Sequence, residues 1–187
     1  LYSNTTASNN TAVGYQAGYS NVTGAENTFI GRVAGYSTTN SYNVAVGDAA
    51  LYSNTSGGTN TAVGKSALQS NTTASENTAV GYQSMYSNVT GTNNTSLGFQ
   101  SLYSNTTNNN TALGYKSMYS TTSGATNTAV GYETLLTSTS GTQNVAVGDR
   151  VLRATTTGNY NTTLGALAMF TNTSGSTNTA VGFETLY

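Results

Sequence analysis

A five-residue unit, Asn-Thr-Ala-Val-Gly, recurs in eleven variants along this 187-residue chain, and its period constrains the fold more than any other feature. Successive units start 17 residues apart, apart from two spacings of 16. The units occupy residues 10–14, 27–31, 43–47, 60–64, 77–81, 94–98, 110–114, 127–131, 144–148, 161–165 and 178–182. A fixed period of this length indicates stacked structural repeats.

We number the repeat from its Asn, so that the Gly is position 5. Seventeen residues provide two short strands and two turns but cannot bury a core alone, so coils must stack and pair their backbones. Helix is disfavoured by the many β-branched residues and the fixed glycines. The sequence therefore predicts an all-β fold: a parallel β-solenoid, or β-roll, of about eleven coils of 16–17 residues with two strands each.

Residues 1–187 form one solenoid segment in this prediction. The chain begins at Leu1 and ends at Tyr187, each inside a repeat. Because solenoids require atypical capping repeats, we expect the segment to be a slice of a longer array.

Composition argues against several partners. Charged residues make up 6% of the chain and the net charge is −1, against roughly 25% charged residues in average soluble proteins. No basic cluster exists to bind nucleic acid. No apolar run approaches the roughly 20 residues of a membrane span. We expect neither nucleic-acid binding nor membrane insertion.

Positions 1 and 5 are Asn and Gly in every coil. A stacked Asn predicts an amide ladder with one step every ~4.8 Å. An invariant Gly predicts a corner with positive φ or close backbone approach. The predicted structural ladder includes Asn10, Gly14, Asn27, Gly31, Asn77, Gly81, Asn127 and Gly131.

The remaining pattern predicts which side chains face the core. Positions 2 (mostly Thr) and 4 (Val, Ile or Leu) are two residues apart, so in a strand both side chains point to the same face. We assign position 4 to the core, together with position 9, which is Leu or Met in nine copies. Position 10 is usually aromatic and is predicted to lie opposite position 9. That tyrosine face would pack on another chain or form an exposed ladder.

Asn-Thr-Ala-Val-Gly, followed about three residues later by a small residue, resembles the Asn-Ser-Val-Ala-Ile-Gly head repeat of trimeric autotransporter adhesins. It is similar also to units of bacterial cell-surface and phage tail-fibre-like repeat proteins. The resemblance covers nearly the whole chain. It implies a left-handed parallel β-roll, three chains side by side, and surface attachment. The unit here is longer and carries tyrosine where adhesin heads have smaller residues. These two differences argue against the trimer more than against the β-roll.

The inventory of reactive side chains predicts that the chain is not an enzyme and holds no metal or cofactor. There is no His and no Cys, and no two acids share a coil at the spacing of a general acid/base pair. A polysaccharide-processing solenoid, the remaining enzymatic alternative, would have to use Glu133 or Asp149.

The polar loop, positions 11–17, carries candidate glycosylation sites. Asn-x-Ser/Thr is the N-linked acceptor pattern, and loop hydroxyls accept O-linked sugar. The candidates are Asn54, Asn71, Asn88, Asn105, Asn172, Thr55, Thr72, Thr73, Thr106 and Thr107. The alternative is a bare polar loop.

These features predict a structural repeat segment of an extracellular, cell-surface fibre or stalk that associates with itself, as a lateral trimer or end to end. The alternative is an adhesin that binds host matrix or carbohydrate through the tyrosine face and the loops. A Thr-rich solenoid could also bind ice through outward Thr-x-Thr rows. The strand instead reads Thr-Ala-Val, in which Thr alternates with an aliphatic residue assigned to the core, and this argues against that third function.

Overall fold

The computed structural model describes all 187 residues as a parallel β-solenoid without helix, which confirms the predicted fold class. Each coil contributes one three-residue strand, and the strands form a single sheet in sequence order. The strands are β1 (Thr11–Val13), β2 (Thr28–Ile30), β3 (Val44–Val46), β4 (Thr61–Val63), β5 (Thr78–Val80), β6 (Thr95–Leu97), β7 (Thr111–Leu113), β8 (Thr128–Val130), β9 (Val145–Val147), β10 (Thr162–Leu164) and β11 (Thr179–Val181).

All ten strand pairs are parallel and share one register. In the first pair, Thr11 lies opposite Thr28 and Val13 opposite Ile30, and position 2 lies opposite position 2 in every other pair. The 16-residue coils keep this register because their missing residue falls in the loop. Each position of the repeat therefore forms a continuous column along the rod.

The predicted second strand is wrong. Positions 6–11 form turns, and positions 7 and 9 adopt left-handed backbone conformations, as in Ser66 (φ 58°) and Leu68 (φ 49°). This segment still bonds to the next coil, since the Leu51 N–H donates to the Ala67 carbonyl at 2.9 Å. Because the left-handed residues break the two-residue alternation, positions 8 and 9 both face inward.

The core lies between the central residue of each strand and the turn. The position 9 side chains from Leu51 to Met169 are buried as predicted, whereas Leu186 in the last coil is 61% exposed. Position 4 was assigned to the wrong side: Val13 is 57% exposed and Leu97 51%. Positions 2 and 4 do share a face, but the inward residue is position 3, usually Ala. A small side chain there lets the sheet approach the long Leu/Met row closely.

In the two coils that lack Leu or Met at position 9, one larger side chain at position 3 fills the core instead; we call this the exchange of volume around Phe29. Gly18 and Gly35 occupy that position, and Phe29 replaces Ala at position 3 between them. The Phe29 ring is fully buried. A Cβ at Gly18 would lie 2.6 Å from a Phe29 ring carbon, so the ring fills the space that the two missing side chains leave.

The glycine at position 5 forms the corner after each strand. Its φ angles lie between 125° and 142°, a region that only glycine adopts readily. The backbones of successive coils also approach closely here, because a Cβ at Gly14 would lie 2.6 Å from the Gly31 carbonyl oxygen. Both the conformation and the contact exclude a side chain.

We expect the substitution Gly98→Val to destabilise the rod by about 3 kcal/mol or more, because φ is 142° and the new Cβ would overlap the Gly114 carbonyl. The melting temperature should fall by about 6 to 12 °C, measured by circular dichroism. Gly58→Val is the matched control, since Gly58 is not held at a positive φ and a Cβ there would lie 3.1 Å from Asn40 Nδ2 and 3.3 Å from the Ser41 carbonyl oxygen, without the overlap found at Gly98. Equal melting temperatures for Gly98→Val and the parent would refute the corner assignment.

Candidate functional site

The surface contains no pocket, and no three His, Cys, Asp or Glu side chains form a metal-binding group. No helix of the length and apolarity that a membrane crossing requires occurs in the structure. The side chains that distinguish this chain are arranged in rows along the rod: two rows of asparagine, two of aromatic residues, and the outward residues of the sheet.

The asparagines of position 1 form a spine that links every coil to the next. The Asn27 N–H donates to Asn10 Oδ1 at 2.8 Å, and the equivalent bond occurs at all ten junctions, at 2.8–3.1 Å. Asn10, Asn27, Asn77 and Asn127 lie in this column, and Gly14, Gly31, Gly81 and Gly131 form the adjacent corner column.

A second asparagine row, which the sequence pattern did not reveal, lies at position 12, where seven of eleven residues are Asn and the others are Thr or Ser. The Asn54 Nδ2 donates to the Gly57 carbonyl at 2.8 Å within its own turn, and Asn71 Nδ2 donates to Asn54 Oδ1 at 2.9 Å. The two rows meet at position 15, where the Gly24 carbonyl accepts from both Asn10 and Asn21 at 2.8 Å. The recurrence of Asn at position 12 was a signal, but the surrounding Ser and Thr suggested a solvated loop.

This geometry argues against the predicted N-linked sites. Asn54, Asn71, Asn88 and Asn105 are fully buried, and each Nδ2, the atom that would carry a sugar, donates to a carbonyl of the coil. Asn172 is half-buried and bonds to both backbone groups of Gly175. A glycan at these positions would replace the hydrogen bonds that close the turn.

The predicted O-linked sites differ in accessibility. The hydroxyls of Thr55, Thr72, Thr106 and Thr107 each donate to a carbonyl of the following coil. Thr73 is exposed, and its hydroxyl has no partner within the protein. O-linked modification of the loop stays a prediction, and Thr73 is the exposed threonine of the five whose hydroxyl is free.

Aromatic rings form two rows on one face of the rod. In the predicted row at position 10, Tyr2, Tyr19, Tyr36 and Tyr52 stack at 4.9–5.1 Å between centroids, and Tyr86, Tyr103 and Tyr119 stack at 5.0–5.2 Å. A second row at position 6, which the sequence analysis did not identify, comprises Tyr82, Phe99, Tyr115 and Tyr132 at 5.2–5.3 Å. In both rows the faces of successive rings lie against each other.

Position 7 side chains lie between the two aromatic rows. The Lys116 Nζ is 5.4 Å from the ring centroids of both Tyr115 and Tyr119, a cation–π arrangement. Gln100 Nε2 donates to Gln83 Oε1 at 2.8 Å in the same column.

The two acids that the enzymatic alternative would need are both ion-paired. Glu133 lies 3.0 Å from Arg153, and Asp149 lies 3.1 Å from Arg150.

Stacking affects the titration of the tyrosines. Burial raises the pKa of Tyr103 above its ordinary value of 10.0, and the negative charge that Tyr119 and Tyr86 acquire on ionising raises it further. A folded-state pKa above the unfolded value contributes stability that is present below pH 10 and is lost as pH rises through the folded pKa.

We therefore expect the melting temperature to fall as pH is raised from about 9 to about 11.5, and the fall to be smaller in the Tyr103→Phe variant, which keeps the stacked ring without its hydroxyl. Tyr160→Phe is the control, because Tyr160 is 56% exposed and stacks on no other ring. An identical alkaline loss in all three proteins would contradict this account.

The chain matches no protein-family model, no curated protein and no solved structure.

The asparagine spine can be tested at Asn77. Its Oδ1 accepts the Asn94 N–H at 3.0 Å, and its Nδ2 donates to the Gly91 carbonyl at 2.9 Å. Asn77→Asp keeps the acceptor but places a buried charge against that carbonyl, and we expect a loss of about 3 kcal/mol at neutral pH. Lowering the pH should restore part of the loss, since the protonated acid can donate to Gly91.

The matched control is Asn93→Asp, which makes the same chemical change at an exposed loop position. Thermal unfolding of both variants at pH 7 and at about pH 4 compares them. A destabilisation of the same size in both would show that the spine bonds contribute little.

Proposed function

We propose that this chain is a structural segment of an extracellular, cell-surface fibre or stalk, in which stacked coils provide a stiff spacer. The observation that supports this most directly is the asparagine spine, which is present at all ten junctions between coils. Because the same asparagine hydrogen bond occurs at every junction, no junction between coils lacks it.

The strand register adds to this support. All ten strand pairs extend the same sheet, so bending the rod would open ladder bonds on one side. Eleven coils at ~4.8 Å each give a rod about 50 Å long, and further repeats would lengthen it without changing its cross-section. A stalk requires a structure of this kind, which can be extended at constant cross-section.

Further copies of the chain are the proposed partners, stacked end to end or associated side by side through the aromatic face. O-linked sugar on exposed loop hydroxyls such as Thr73 would add solubility to a surface with few charges. The proposal includes no catalytic step, cofactor or metal.

Adhesion is the second candidate, favoured by the exposed aromatic row at position 6. Tyr82, Phe99, Tyr115 and Tyr132 are 40–48% exposed. Because the faces of successive rings lie against each other, a ligand would contact ring edges and hydroxyls. Saturable binding of the chain to glycans or matrix proteins, lost in Tyr115→Ala but kept in Tyr160→Ala, would support adhesion over a purely structural role.

The fibre role is tested by immunogold electron microscopy of cells of the source organism with an antibody against the chain, followed by mass-per-length measurement on labelled filaments. A single solenoid should give about 0.4 kDa per Å and a lateral trimer about 1.2 kDa per Å. Label along extracellular filaments supports the proposal. Label confined to the cell interior, or to particles without filaments, would overturn it.

A further inference from the structure

The outward residues of the sheet form a surface that the fibre proposal does not use. This outer strand face consists of positions 2 and 4 of strands β1 to β11. Its residues are Thr11, Val13, Thr28, Ile30, Val44, Val46, Thr61, Val63, Thr78, Val80, Thr95, Leu97, Thr111, Leu113, Thr128, Val130, Val145, Val147, Thr162, Leu164, Thr179 and Val181. All of them are exposed or half-buried.

The chemistry of this face is uniform. One column is threonine in nine of eleven strands, with valine at the other two, and the other column is entirely aliphatic. None of the eleven charged residues of the chain lies on it. The 22 outward positions therefore present only hydroxyl and aliphatic groups, with neither charge nor amide among them.

The threonine hydroxyls on this face are free. None of the nine makes a hydrogen bond within the protein, whereas the loop threonines, such as Thr55 and Thr72, donate to the next coil. The structure therefore presents a regular column of unpartnered hydroxyls beside a column of methyl groups.

The spacing of the face is set by the fold. Neighbouring strands lie ~4.8 Å apart, and the two outward residues of a parallel strand lie ~6.6 Å apart. Stacked rings of successive coils meet at interplanar angles of 3–15°, so the coils rotate by small angles relative to each other. The result is a regular array of hydroxyl and methyl groups along the sheet.

We propose that the outer strand face binds ice. The two spacings approximate the repeats of oxygen atoms on a prism plane of the ice lattice. Methyl groups order the adjacent water into a hydrogen-bonded cage, and the free hydroxyls join that layer as donors and acceptors. The assignment of position 4 to the core spoke against ice binding, but the structure places position 4 on the outer face, where nine of the eleven strands present Thr-x-aliphatic pairs in place of Thr-x-Thr.

Ice suits this face better than a second protein chain does. A dry protein interface would bury the nine free hydroxyls, and each would need a partner or cost about 1–3 kcal/mol. An ice surface supplies a partner at each lattice point. The inference does not depend on the fibre role, because an isolated rod would present the same face.

The test uses the 187-residue chain in a nanolitre osmometer and in an ice-recrystallisation assay. The parent should show thermal hysteresis and faceted ice crystals. Thr78→Tyr, which raises a bulky side chain above the middle of the array but suits a strand, should lose more than half of the hysteresis. Thr73→Tyr makes the same change at the exposed loop and should keep it.

Far-UV circular dichroism establishes that each variant is folded. A folded parent with neither hysteresis nor recrystallisation inhibition would overturn the proposal, as would equal activity of the two variants. Sedimentation velocity tests the alternative that a second copy of the chain occupies the outer strand face. A parent oligomer that Thr78→Tyr converts to monomer, in the absence of ice activity, would identify the face as an interface between copies and would also overturn the proposal.

Discussion

Every feature of this rod depends on the hydrogen bond from the backbone N–H of one position 1 asparagine to the side-chain oxygen of the preceding one. The bond fixes the distance between coils at the point where the loop returns to the strand. It also orients the amide so that its Nδ2 reaches the carbonyl at position 15 and closes the loop. Asparagine is the shortest side chain that presents an acceptor oxygen and a donor nitrogen on separate atoms. The strand pairs and the aromatic stacks extend the regularity that these bonds impose.

The turn between positions 6 and 11 shows how stacking stabilises a conformation that one coil could not maintain. Leucine and methionine at position 9 adopt φ angles of 49–54°, which are unfavourable for residues with a Cβ. Each coil gains in return the burial of a long side chain and a backbone bond to the next coil. The strain is therefore offset by neighbours on both sides, which makes the fold cooperative along its axis.

The period predicted the solenoid, the column of corner glycines and the buried Leu/Met row, because identical residues at fixed spacing can stack in one way only. Which of the two faces of the strand packs in the core could not be predicted. Thr-Ala-Val places Thr and Val on one face and Ala on the other, and hydrophobicity favours the valine side as the core. The structure buries alanine instead, because the left-handed turn brings two successive residues, such as Ala67 and Leu68, into the interior and leaves room for only a small side chain in most coils. The asparagines of position 12 were misassigned for a similar reason, since their burial depends on a turn geometry that a loop-like composition conceals.

The exchange of volume around Phe29 means that the coils are not interchangeable modules. Most coils carry their own Leu or Met and could be duplicated or lost by recombination between repeats without disturbing the core. The coils of Gly18 and Gly35 share one ring between them, so a crossover between them would leave either an unfilled space or two large groups in one place. Tandem arrays of this type can therefore change length freely only at some of their boundaries, and the distribution of such paired substitutions would record where past expansions occurred.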